Sequence, residues 1–141
     1  MPRIQRSAIV SRPAARLFEL VADIERYPQR FDWCTAAEVV AREDESIIAR
    51  MTLKVGGMQA EFSTRNRHRP GERIDMQLTE GPFRALSGAW TFRALGEQGC
   101  KVGLELDFEI AGRYIGTALA SGFRRVADRM VDDFVREALA D

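Results

Sequence analysis

Residues 113–139, with the sequence RYIGTALASGFRRVADRMVDDFVREAL, predict one long amphipathic helix. Large apolar residues recur in it every three or four positions, as they do along one face of an α-helix. They are Ile115, Leu119, Phe123, Val126, Met130 and Phe134. Because an isolated helix of this kind gains most of its stability from packing, the rest of the chain must cover its apolar face.

The opposite face of this helix carries pairs of oppositely charged residues four positions apart, the spacing at which helix side chains meet. The pairs are Arg124 with Asp128, Arg129 with Asp133, and Asp132 with Arg136. We therefore expect this face to point to water.

The chain before the helix alternates between apolar and polar residues, which is typical of half-buried strands. The clearest run is 101–110, where every second residue from Val102 to Ile110 is apolar. Glycines at positions 56, 57, 71, 96 and 99 predict hairpin turns between such runs. Successive hairpins with one apolar face predict an α+β fold, in which a curved antiparallel sheet of six or seven strands wraps around the long C-terminal helix.

Near the N-terminus, alternation at 3–11 predicts a first strand, and Leu17, Phe18, Val21 and Ile24 predict a short helix after it. In the long helix, the first half carries the small residues Gly116, Ala118, Ala120 and Gly122. Two arrangements are open there: either the helix packs closely on the sheet, or a cavity lies beside it.

The composition fits one globular domain over residues 1–141, since 141 residues of which 45% are hydrophobic can form their own core. A formal net charge of zero, from 21 basic and 21 acidic residues, argues against a general binder of nucleic acid or anionic membranes. The N-terminus lacks a signal-peptide core and no apolar run is long enough to span a bilayer. We therefore expect a cytoplasmic protein without stable membrane insertion.

Few residues have the character of a catalytic or metal site. His68 is the single histidine, so a metal site with two histidines is excluded. We expect His68 at the surface beside a hairpin tip, and neutral because arginines surround it. Glu105, Asp107 and Glu109 occupy alternate outward positions, so we expect them in cross-strand ion pairs. Cys34 and Cys100 fit no metal spacing and are expected to be free thiols.

Several motifs resemble those of a known family. They are Asp23 with Tyr27-Pro28 and Trp33-Cys34; Phe62 with Thr64-Arg65-Asn66; Glu80-Gly81-Pro82-Phe83 followed by Leu86, Gly88, Trp90 and Phe92; and Asp107-Phe108-Glu109. With the order of elements, they resemble the START-related helix-grip superfamily. Within it, the chain is similar to the bacterial branch that joins coenzyme-Q-binding proteins to the ribosome association toxin family, RatA.

This resemblance implies non-enzymatic binding of an apolar ligand between sheet and helix, with ubiquinone or a related isoprenoid lipid as the leading candidate. The protein would then be a carrier or chaperone in respiration, without any other cofactor. Each buried CH₂ group of such a ligand would contribute about 0.8 kcal/mol. Trp33 lies on a non-periodic segment and is the candidate gate. The residues expected to line the site are Trp33, Met51, Phe62, Met76, Phe83, Trp90, Phe92, Leu104, Phe108, Leu119, Phe123 and Met130.

Two other functions stay open. In the first, the chain is a toxin-type inhibitor of ribosome association that binds the large ribosomal subunit through a basic hairpin. Arg65, Arg67, Arg69 and Arg73 lie near one predicted turn and could contact phosphates, although an ordinary solvated hairpin would look the same. In the second, the chain is an enzyme of the aromatase or cyclase type, which needs polar groups inside the cavity, and the sequence predicts few of them.

Overall fold

The computed structural model describes residues 3–55, 57–111 and 115–140. Within these ranges the chain forms seven strands and three α-helices, with a 3₁₀ turn at Ile24–Arg26 before the second helix. The strands are β1 Arg3–Val10, β2 Cys34–Arg42, β3 Ser46–Val55, β4 Met58–Arg69, β5 Arg73–Glu80, β6 Phe83–Ala94 and β7 Cys100–Ile110. The helices are α1 Ala14–Ala22, α2 Tyr27–Arg30 and α3 Ile115–Leu139.

All seven strands belong to one antiparallel sheet, in the order β1-β7-β6-β5-β4-β3-β2. Strands β2 to β7 follow each other as hairpins, and β1 returns to pair with β7. Register shifts interrupt the β2–β3, β4–β5 and β6–β7 ladders, and such bulges bend a sheet. The predicted fold, an open curved sheet with a long helix across it, is confirmed.

The long helix α3 packs against β1, β3 and β7, while α1 packs against α3, β6 and β7. The apolar faces predicted from the sequence meet in this core. Leu17 of α1, Leu53 of β3, Val102 of β7 and Phe134 of α3 are almost fully buried. None of the described helices is long and apolar enough to cross a bilayer.

The acidic residues of β7 form the expected cross-strand pairs on the outer face of the sheet. Arg3 of β1 lies 2.8 Å from Asp107 and 3.4 Å from Glu105, and Arg84 of β6 lies 3.7 Å from Glu109. Arg3 also lowers the pKa of Asp107, chiefly through the hydrogen bond between them. These carboxylates are therefore engaged in ion pairs rather than arranged for catalysis.

The charged face predicted for α3 does not point wholly to water. Asp133 is only 6% exposed, and it accepts hydrogen bonds from Trp33 Nε1 at 2.9 Å and Arg129 Nε at 3.1 Å. The predicted Arg129–Asp133 pair is confirmed. Arg136 was expected to pair with Asp132 but lies 3.2 Å from Asp133. Asp128 was expected to pair with Arg124 but pairs with Arg6 of β1 at 2.6 Å. The prediction failed here because Trp33 and β1, both distant in sequence, pack beside this face.

Candidate functional site

A small cavity of about 70 Å³ lies between the inner face of the sheet and α3. From the helix, Phe123, Met130 and Phe134 line it. Among the described small residues in the first half of α3, Ala118, Ala120 and Gly122 do not line it, and Gly116 lies outside the described side chains. Phe62, Phe83 and Phe108 converge on Phe123 with ring centroids 4.8–6.3 Å apart, and these rings fill the core there.

Most of the residues predicted to line a ligand site do surround this cavity. They are Trp33, Met51, Phe62, Met76, Trp90, Leu104, Phe123 and Met130. The other four are buried in the neighbouring core without lining the cavity: Phe83, Phe92, Phe108 and Leu119. The sequence interpretation missed Val21, Ile24 and Tyr27, because the packing of α1 and the segment after it over the cavity is not visible in local periodicity.

A row of polar side chains on β4 also faces the cavity. Thr64, Asn66 and His68 alternate along the strand and all three line the cavity, while Arg65 and Arg67 point outward. The Thr64 hydroxyl donates a 2.7 Å hydrogen bond to Asn66 Oδ1. The prediction of few inward polar groups was therefore wrong. The alternation that begins at Phe62 continues to His68, and this signal could have revealed the row.

The predicted surface position of His68 was also wrong. The residue is half-buried, its ring packs edge-on against Phe18 at 5.8 Å, and its Nε2 atom is buried without a hydrogen-bond partner among the described residues. Burial lowers the pKa of His68, and the positive charge of Arg42 lowers it further. The imidazole is therefore neutral at pH 7, with a buried ring nitrogen available for a hydrogen bond.

We expect the stability of the protein to depend on the protonation of His68. Its pKa in the folded state is below the unfolded value of 6.5, so the folded protein binds fewer protons between the two values. The contribution of neutral His68 is fully present above pH 6.5 and is lost as the pH falls toward the folded pKa. When the pH is lowered from about 7.5 to 5.5, the free energy of unfolding measured with urea should fall more for the wild type than for His68→Gln.

The same titration can be followed directly, because a single histidine gives one unambiguous imidazole C2–H resonance in NMR spectra. Its midpoint should lie below 6.5. A midpoint at or above 6.5, or an equal pH dependence in His68→Gln, would contradict the placement of this ring at the cavity.

The candidate gate Trp33 is fixed by several contacts. It is 3% exposed, stacks on Phe31 at 4.8 Å with an interplanar angle of 10°, and donates its indole N–H to Asp133. Tyr27 packs edge-on against Trp33 and donates its hydroxyl to the Val21 carbonyl oxygen. The non-periodic aromatic segment thus forms a wall of the cavity in this structure and is not an open entrance.

The predicted basic hairpin is largely neutralised by neighbouring carboxylates. Arg65 and Arg67 lie 3.2 Å from Glu43 and Glu45, which belong to the turn between β2 and β3. Arg73 lies 2.8 Å from Asp75. The sequence interpretation missed this balance because the pairing of β3 with β4 brings the acidic turn beside the arginines.

Both cysteines are buried free thiols, as predicted. Burial raises the pKa of Cys34 to about 11 and also raises the pKa of Cys100. Since the thiolate is the reactive form, both side chains are expected to react slowly with alkylating reagents in the folded protein.

Comparison with known proteins supports the fold and identifies the protein family. Residues 10–135 match the family of polyketide cyclase / dehydrase and lipid transport proteins. The ribosome association toxin RatA of Pseudomonas aeruginosa is 42% identical over 135 residues, which cover 96% of this chain and 94% of that protein. RatA of Vibrio cholerae is 36% identical over 98% of this chain and 96% of that protein.

Among solved structures, the Zhui aromatase/cyclase from a Streptomyces species superposes with a TM-score of 0.87. The alignment covers 97% of this chain and 93% of that one at 18% identity, so it shows a shared fold. The identity to the two RatA proteins extends over almost the full length of both partners. The chain therefore belongs to the polyketide cyclase / dehydrase and lipid transport family, in the branch that holds the RatA proteins.

Proposed function

We propose that this protein associates with the large ribosomal subunit and hinders ribosome association, a proposal supported by its similarity to proteins named ribosome association toxin RatA. The observation that carries the proposal is the 42% identity to the Pseudomonas aeruginosa protein over 96% of the chain. This identity is well above the 18% shared with the Zhui aromatase/cyclase, whose likeness shows the fold alone, and this supports a common partner.

We infer that this activity is non-enzymatic. The polar side chains of the β4 row that face the cavity are Thr64, Asn66 and His68, and the aromatic residues of the wall surround them. Among the described residues of the cavity wall there is no carboxylate to act with His68 as a general acid or base pair. Binding through the surface requires no such pair.

The proposal predicts that the purified protein sediments with large ribosomal subunits in a sucrose gradient at low salt. We further expect that it lowers the yield of complete ribosomes when small and large subunits are mixed. Bovine serum albumin at the same concentration is the control for trapping in the gradient. Failure to sediment with the large subunit at low salt would refute the proposed function.

A second function, binding of a mainly apolar ligand with one polar group, is favoured by the cavity itself. Its wall is mainly apolar apart from the β4 row, and His68 Nε2, at its side, has no hydrogen-bond partner among the residues that the structure describes. Ligand sites usually enclose about 300–1000 Å³, far more than the 70 Å³ present. A quinone ring would therefore require rearrangement of Met51, Met76 and Met130, whose unbranched side chains adapt readily.

This second function is tested by adding a short-chain ubiquinone and following the His68 C2–H resonance. Binding beside the polar row should shift the resonance and lower the midpoint of its titration further, because a ligand that excludes water from the ring disfavours its charged form. In the matched variant Met51→Trp, which fills the cavity, the shift should disappear. An unchanged spectrum, together with no apolar compound in solvent extracts of the purified protein, would exclude this function.

A further inference from the structure

A shallow groove lies on the outer face of the sheet, on the side away from the cavity and α3. It has about 500 Å³ of free space and is formed mainly by β1, β6 and β7. We call it the outer groove and define it by Ser7, Arg73, Thr91, Arg93, Lys101 and Gly103. None of these residues has a role in the cavity.

The strand register places two positive charges side by side at one end of the outer groove. Arg93 of β6 lies directly opposite Lys101 of β7. In the adjacent row, Thr91 lies between Arg73 of β5 and Gly103 of β7. Like charges directly opposite each other destabilise a sheet, so the Arg93–Lys101 pair is a cost to the fold in the absence of a partner.

Several other basic residues on this face are paired with carboxylates, although Arg69 and Lys54 have no such partner within the described part of the chain. Arg3 binds Asp107, Arg50 binds Glu38 and Arg65 binds Glu43. Arg93 and Lys101, by contrast, are exposed and form no ion pair within the described part of the chain. Their charge is therefore available to a negatively charged partner.

The acidic residues nearest in sequence do not neutralise this pair. Glu97, in the turn between β6 and β7, lies within 4 Å of neither cation, and Glu105, which also lines the outer groove, is already paired with Arg3 at 3.4 Å. Asp75 holds Arg73 at 2.8 Å on the neighbouring strand. The end of the groove at Arg93 and Lys101 thus remains positive although the net charge of the chain is zero.

Beside the two cations, the surface of the outer groove consists of Gly103, which has no side chain, and the hydroxyl group of Thr91. An added Cβ at Gly103 would lie 2.8 Å from Thr91 Oγ1, so this hydroxyl occupies the space above the glycine. Among the described residues the Thr91 hydroxyl has no hydrogen-bond partner. It can therefore donate to an oxygen of a group that lies in the groove.

We propose that the outer groove binds the sugar-phosphate backbone of ribosomal RNA, an inference that rests on the proposed ribosome association. Arg93 and Lys101 contact phosphates, and the Thr91 hydroxyl donates to a phosphate oxygen, which are common protein contacts to a nucleic-acid backbone. The residues that define the groove include no aromatic side chain for base stacking, so the contact positions the protein without reading sequence.

The test compares two double variants with the same loss of charge on the same face of the sheet. Arg93→Ala/Lys101→Ala removes the unpaired cations of the outer groove. Arg65→Ala/Arg67→Ala is the matched control, because these arginines are paired with Glu43 and Glu45. All four side chains are exposed, so we expect both variants to fold, which thermal unfolding will check.

Affinity for the large subunit is measured at several salt concentrations. We expect Arg93→Ala/Lys101→Ala to weaken binding by at least about tenfold at low salt. The slope of log K against log salt should fall by about 2, or about 1 for each phosphate that the variant no longer neutralises. The control should retain the wild-type slope and affinity within about threefold, because its arginines already have partners.

The outcomes separate this inference from the proposed function. If the wild type does not bind the subunit, the proposed function fails, and the inference fails with it. If the wild type binds and the groove variant binds equally well, RNA binding by the outer groove is refuted while the proposed ribosome association stands. Weaker binding by the control than by the groove variant would place the contact on the hairpin and overturn the inference.

A cross-linking experiment distinguishes RNA from an acidic ribosomal protein as the partner. Ser7 is exposed and lies opposite Gly103, so the variant Ser7→Cys can be labelled with a photoreactive reagent in the outer groove. Cys34 and Cys100 are buried and should stay unlabelled. Adducts on ribosomal RNA support the proposal. Adducts confined to a ribosomal protein overturn it.

Discussion

Replacing Phe134 with alanine is expected to lower the free energy of unfolding by about 3–5 kcal/mol. Phe134 is 1% exposed and its ring packs on Tyr27, Phe31 and Trp90 at centroid distances of 4.6–5.3 Å. These aromatic residues come from the segment after α1 and from β6. Without the Phe134 ring, α3 no longer packs on that segment and on β6 at this point, and the rigid neighbours cannot close the space.

Urea unfolding followed by far-ultraviolet circular dichroism measures this effect. Tryptophan fluorescence is unsuitable, since both Trp33 and Trp90 lie against the substituted ring. Leu139→Ala on the same helix is the control, because Leu139 is 45% exposed and should lose about 0.5 kcal/mol or less. A loss below about 1.5 kcal/mol for Phe134→Ala would show that this cluster does not hold α3 in place.

Substitution of Gly88 by alanine is expected to cost about 3 kcal/mol or more, at the upper end of the range for overpacking. The added Cβ would lie 2.2 Å from the Glu105 carbonyl oxygen and 3.0 Å from the Leu106 Cα. Both atoms belong to the backbone of β7, which pairs with β6 at this position. The clash can therefore be relieved only by moving paired strands apart.

Gly103→Ala is the control for this prediction, since the same change is made on the neighbouring strand. Its Cβ would meet the Thr91 hydroxyl at 2.8 Å, and rotation of that side chain can relieve the clash. We expect a loss of about 1 kcal/mol or less. Equal losses for the two variants in thermal or urea unfolding would disprove the backbone clash as the reason for glycine at position 88.

The Gly88 result would also explain part of the sequence resemblance in physical terms. In the run from Gly81 to Phe92, Trp90 lines the cavity and Phe92 lies in the core, while Gly88 permits close approach of β7. Gly81 has a φ of +150°, and a Cβ there would lie 2.5 Å from the Phe62 Cβ. The glycines of this motif thus serve backbone geometry, and its aromatic residues fill the interior.

The residues predicted for the cavity show where inference from sequence stops. Inward positions on β3 to β7 followed from alternation, and Met51, Met76 and Leu104 lie on the cavity wall as expected. Alternation could not show which inward residues border free space and which are packed, so Phe92 and Phe108 were included although they lie in the core. The quinone as ligand stays a prediction.

The predictions about individual charged groups were less accurate, because a charge acquires its role from groups distant in sequence. Asp133 was expected in water, but the indole of Trp33 reaches it from the segment before β2. Arg65 and Arg67 were expected to concentrate positive charge, but the neighbouring turn supplies Glu43 and Glu45. None of these pairings leaves a periodic signal.

The amino-acid sequence by itself determined which segments form strands and which forms the long helix, together with the apolar face of each. It could do so because periods of 2 and 3.6 residues are local properties of the chain. Only the tertiary structure decided the position of the cavity, the inward place of His68 and which cations remain unpaired. These depend on the distances between segments that the fold brings together, such as β6 beside β7 at Arg93 and Lys101.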